Sequence, residues 1–114
     1  MGQAVYRVQS SHEGLSDAWR DGASEAHHDF LVDHADAFQS ELADPNIQSL
    51  VIIMPVIDET HDDWRRAIAR DLARKYAPKR VNIIGIKPTS QLDEILAYLE
   101  NAPGVTGQYL CAHE

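Results

Sequence analysis

Four stretches of the chain are apolar enough to be strands, and the residues between them repeat at helical spacing. "SLVIIMPV", Ser49 to Val56, is apolar without alternation, the pattern of a strand covered on both faces. That places it inside a sheet. "RVNIIGI", Arg80 to Ile86, reads as a second central strand. "AVYRVQ", Ala4 to Gln9, has the β-branched and aromatic content of a short first strand, and "VTGQYL", Val105 to Leu110, is a last and more polar one.

The helices are read from the apolar stripes between these runs. A short helical piece is expected over Leu15 to Arg20, before Gly22 interrupts. From Ser24 to Leu42 the positions Ala26, Phe30, Leu31, Ala37, Phe38 and Leu42 recur at three- and four-residue steps, which predicts an amphipathic helix. "ADPN", Ala43 to Asn46, ends it, because proline cannot continue the ladder. The next helix starts near Thr60, with Trp64, Ala67, Ile68, Leu72 and Tyr76 inward and Pro78 closing it. A fourth spans Ser90 to Asn101, with Leu92, Ile95, Leu96 and Leu99 inward.

Alternating strands and helices imply right-handed crossovers and a mainly parallel sheet of about four strands with helices on both sides. The expected fold is a small three-layer α/β/α sandwich of Rossmann-like or flavodoxin-like topology, with residues 1–114 forming one domain. So small a sheet has ends that need protection or pairing with a second copy.

Charge sharpens this picture. The net charge is −8, which argues against a nucleic-acid backbone or an anionic membrane as partner. Residues 1–59 carry eleven acids and two arginines, whereas residues 60–114 carry seven acids and eight bases. The helix from Ser24 is expected to expose Glu25, Asp29, Asp33 and Asp36, and the helix from Thr60 to expose Arg65, Arg66, Arg70, Arg74 and Lys75. Such faces suit docking in cis, between two copies or onto a charged partner protein. Ordinary solvated helix surface is the plainer reading of the same residues. The one cysteine, Cys111, cannot form an internal disulfide, so a reducing cytoplasm is the default expectation. No run approaches the roughly 18 apolar residues that a membrane crossing requires.

Parallel sheets bind ligands outside the carboxyl ends of their strands. Here those ends would bring Ser10, Ser11, His12, Asp58, His61 and Thr89 toward one edge. His61 beside Asp58 has the composition of an oriented general base, and Ser11 or Thr89 that of a group meeting substrate. Helix initiation accounts for much of the same stretch: Thr60 and Asp63 form a capping box, and Asp62 and Asp63 suit the positive end of the helix dipole. Only Asp58, His61 and, more weakly, Glu59 then remain for a functional claim.

No metal or cofactor is expected. His27 and His28 point about 100° apart on a helix, and His27 and His34 share a face but stand about 10 Å apart along its axis. His34, between Phe30 and Phe38 on the apolar stripe, is read as a buried or interfacial histidine with one polar partner. Asp29, Asp33 and Asp36 have the spacing of a plain exposed helix face. The six glycines form neither a dinucleotide fingerprint nor a P-loop.

"ARDLARKYAPKRVNIIGIKP", Ala69 to Pro88, resembles the stretch of short-chain dehydrogenase/reductases in which a helix ends and a strand carrying Val-Asn follows, here Val81 and Asn82, then a proline-bearing loop, here Pro88. Ser49 to Pro55 is similar to the strand before that family's catalytic serine and Tyr-x-x-x-Lys helix. Where the tyrosine helix would lie, the chain has Trp64 and Ile68; Tyr76 and Arg80 have the spacing but straddle Pro78. The resemblance, about forty residues long, implies a shortened relative that shares the fold and has lost the hydride-transfer residues.

The function expected from all this is that of a noncatalytic α/β domain acting through protein contacts or self-association. The alternative is a small enzyme or ligand-binding protein with a site around Ser11, His12, Asp58 and His61.

Overall fold

The computed structural model describes residues 2–7, 34–55, 61–86 and 92–111. In chain order they form β1 (Gly2–Arg7), α1 (residues 34–43), β2 (Ile47–Pro55), α2 (Asp62–Lys75), β3 (Arg80–Ile86), α3 (Leu92–Glu100) and β4 (Tyr109–Cys111). The four strands make one sheet in the order β1-β2-β3-β4, and every neighbouring pair is parallel. This is the three-layer α/β/α sandwich of Rossmann-like class that the strand–helix alternation predicts. The short helix expected over Leu15 to Arg20 and the first turns of the helix expected from Ser24 lie outside the described residues.

The two central strands are explained by their composition. Along β2 the side chains alternate between two buried surfaces: Leu50, Ile52 and Met54 join one core, Val51 and Ile53 the other. Fully burying each large apolar side chain contributes about 1.5–3 kcal/mol, so a run apolar at every position holds only where both faces are covered. On the first face lie α1, through Phe38 and Leu42, and α2, through Trp64, Ile68 and Leu72. On the second lies α3, through Leu99 with Leu92, Ile95 and Leu96.

Strand order and helix placement together correct one expectation. The chain steps from β1 to β2 to β3 to β4 in one direction across the sheet, yet α1 and α2 pack on one face and α3 on the other. The crossover through α3 therefore has the opposite hand to that through α2, whereas right-handed crossovers were expected. Its cause is that the apolar stripe of α3 fills the second face over Val51, Ile53 and Ile84. As a result the first face carries no helix on the β4 side of α2 among the described residues.

Two other boundaries move. The last strand begins at Tyr109, not Val105. Val105 to Gln108 instead form a strap beside β3: Val81 N–H donates to Thr106 Oγ1 (3.1 Å), Gly107 N–H to the Val81 carbonyl (2.8 Å), and Ile83 N–H to the Gln108 carbonyl (2.8 Å). Gly107 has φ +73°, in the left-handed region that a strand residue does not occupy. Helix α2 begins at Asp62 with His61 as its N-cap and no side-chain bond from that cap; the box expected from Thr60 lies outside the described residues. Asp62 and Asp63 do occupy its first turn, and Arg74 and Lys75 its last, as the dipole favours.

The turn closing α1 is as the proline predicts. Asn46 N–H donates to Asp44 Oδ1 (2.8 Å), and Ile47 N–H to the Asp44 carbonyl (3.0 Å), turning the chain into β2.

Candidate functional site

Four residues carried the sequence-based site. Ser11, His12 and Asp58 lie outside the described residues, as do Ser10, Glu59 and Thr89. His61 is placed, and it is turned inward: it is only 3% exposed, at the start of α2. Its Nδ1 lies 2.9 Å from Trp64 Nε1, with the rings edge-on. An indole N–H can only donate, so Nδ1 accepts and the neutral imidazole carries its proton on Nε2. Nδ1 is thereby committed to a structural bond.

His34 behaves as its neighbours predicted. It is buried on α1, with Nδ1 2.7 Å from the Tyr6 hydroxyl of β1 and its ring against Tyr6 and Phe38. This pair ties α1 to the first strand. Among the described residues no three His, Cys, Asp or Glu side chains gather where they could share a metal ion.

Sequence reasoning placed Arg65 on the exposed face of its helix; the structure buries it. Only 1% of the residue is exposed, and Nη1 donates to the Tyr109 hydroxyl of β4 (3.1 Å). The guanidinium lies 5.5 Å from the Trp64 ring centre and 5.7 Å from that of Tyr109, distances at which aromatic faces attract a cation. The signal was present: Arg65 stands three residues before Ile68 and seven before Leu72, on their side of the helix. Burial raises the Tyr109 pKa above its ordinary 10.0, and Arg65, by charge and hydrogen bond, opposes that rise.

The Val-Asn pair of β3 also acquires a role. Asn82 is buried, its Nδ2 donates to the Val105 carbonyl (3.0 Å), and its Oδ1 accepts Gln108 N–H (3.1 Å). One amide thus fastens both ends of the strap before β4. The strap passes close to α2, since a Cβ on Gly107 would lie 3.4 Å from Ala73 Cβ.

A family model described as SDR-like, short chain dehydrogenase-like protein, matches residues 16–112. The chain belongs to the SDR-like family. The match extends well beyond the forty residues whose motifs suggested it and takes in every described element after β1. Neither the curated proteins nor the solved structures gave a match. In this SDR-like chain Trp64 and Ile68, at the place where the dehydrogenase resemblance puts the tyrosine helix, are 5% and 1% exposed and belong to the core against β2 and β3. No helix among the described residues is long and apolar enough to cross a membrane.

Proposed function

We infer that this SDR-like chain is a noncatalytic domain that acts by associating with a second copy of itself, through the β1 end of its sheet. One contrast carries the reading. Positions corresponding to the tyrosine helix of the dehydrogenases are packed into the core, while among the described residues the β1 end of the sheet is uncovered. Among the described residues no strand lies beyond β1 in the sheet, and Val5 is 43% exposed. Gln3 to Tyr6 contain no charge and no proline, the usual means of discouraging edge pairing. Two such edges meeting across a two-fold axis are self-complementary and extend the sheet. The charge imbalance between the halves of the chain gives a second, longer-range attraction between copies.

Sedimentation velocity of the wild-type protein and of Val5→Lys tests this. The wild type is expected to sediment above the mass of one chain and the lysine variant as one chain. Two monomeric samples would end the proposal.

The strand-end reading, with Ser11, His12, Asp58 and His61 around a ligand, draws its support from β2 and β3 ending side by side, Pro55 opposite Ile86. Its weak member is His61. A His61→Gln variant that kept its stability while losing binding of a small molecule would favour this reading over self-association.

A further inference from the structure

Because α3 packs on the second face, the first face beside α2, toward β4, carries no helix among the described residues. A groove of about 540 Å³ lies there, within the ordinary size range of small-molecule sites. Arg66, Arg70 and Arg74 line its α2 side at every fourth position, so neighbouring guanidinium stems rise about 6 Å apart along the helix. Thr106, Gly107 and Gln108 form the facing wall. The Asn82 amide and the backbone of β3 hold that wall in place.

The three arginines are not equivalent. Arg66 is already engaged with Asp63 at 3.1 Å and Asp62 at 4.0 Å. Arg70 and Arg74 are exposed and have no carboxylate partner among the described residues. Two guanidinium groups in one groove, neither with a carboxylate partner among the described residues, stand out in a chain of net charge −8. From the other wall, Thr106 Oγ1 accepts Val81 N–H and keeps its own proton to donate. Gln108 Nε2 bonds the Thr106 carbonyl at 3.4 Å with one of its two N–H groups, leaving the second.

We propose that this groove binds a small polyanion of the phosphate class, with Arg70 and Arg74 each holding one anionic group. The planar guanidinium fork matches phosphate oxygens in pairs, and the Thr106 hydroxyl and Gln108 amide complete the donor set. The close spacing of the Arg70 and Arg74 stems, one helical turn apart, and the pinned strap facing them favour a small molecule with adjacent anionic groups. This site is separate from the β1 end and does not depend on self-association.

Isothermal titration calorimetry at low ionic strength tests it, with inorganic pyrophosphate as probe and citrate and a short polyglutamate peptide in parallel arms. Pyrophosphate is expected to bind saturably, one per chain, and more tightly than either comparator. Arg70→Gln with Arg74→Gln should weaken it at least about tenfold, since two charge-assisted forks are removed, while Arg66→Gln should weaken it less than about threefold. Both side chains of the double variant are exposed, so its melting temperature without ligand should match the wild type. No saturable heat, equal binding by the double variant, or tighter binding of citrate or the peptide would each overturn the proposal.

Discussion

Lys79 and Arg80 are consecutive in the chain, yet they close helices on opposite faces of the sheet. Lys79 Nζ donates to the Leu42 and Asp44 carbonyls, at 2.6 and 2.8 Å, at the end of α1. Arg80 Nη1 donates to the Leu99 and Ala102 carbonyls, at 2.8 and 3.1 Å, at the end of α3. Neighbouring residues entering a strand point to opposite sides, so one dipeptide satisfies the last carbonyls of two helices and meets the negative ends of both dipoles.

Replacing Arg80 by Met should therefore cost about 1.5–3 kcal/mol, the range for hydrogen bonds to a charged group. Lys79→Met should cost about 1 kcal/mol, because one of its two bonds is solvent-exposed. Urea denaturation gives both values. A loss for Lys79→Met exceeding that for Arg80→Met would contradict the assignment.

Asn82 replaces backbone pairing where the strap cannot be a strand. Asn82→Leu removes the partners of the Val105 carbonyl and the Gln108 N–H together, and a loss of about 2–4 kcal/mol is expected. Hydrogen exchange should localise the loosening to residues 105–111. Uniform loosening of the whole sheet would show that Asn82 does not act through the strap.

Tyr109 gives the fold a pH dependence of definite sign. Its folded pKa is raised above 10.0 by burial, so the folded state keeps the proton where the unfolded chain releases it. The stability this contributes is complete below pH 10.0 and falls as pH climbs from there through the raised folded value. Tyr109→Phe should lose less stability than the wild type over that alkaline window, as read by thermal midpoints. In Arg65→Met the Tyr109 phenol should ionise at higher pH still, because the nearby cation opposing the rise is gone; an ultraviolet titration reads this, and a fall would refute it.

How much of this was legible depended on whether local pattern or tertiary placement decided each feature. The continuous apolar runs placed β3 to the residue and β2 within two residues at its start, because only full burial explains such runs. His34, set among aromatics, was legible as a buried histidine, and the Tyr6 hydroxyl is a polar partner for it. Val105 to Gln108 read as strand by composition, but Gly107 in the left-handed region and the Asn82 amide make a strap there. The hand of the last crossover was not legible, since the stripe of α3 names no sheet face. Arg65 was misplaced because its charge outweighed its position on the inward stripe. The bond from Trp64 to His61 was not legible because Trp64 was read only as packing, without its N–H.

Association through β1 is tested most directly by hydrogen exchange at the β1 amides as protein concentration is raised. Alternate β1 N–H groups point away from β2 and are the ones a second copy would cover. In the wild type, exchange across Gln3 to Tyr6 should slow with increasing concentration, and in Val5→Lys it should not. Exchange at β1 that is independent of concentration in the wild type would contradict the account.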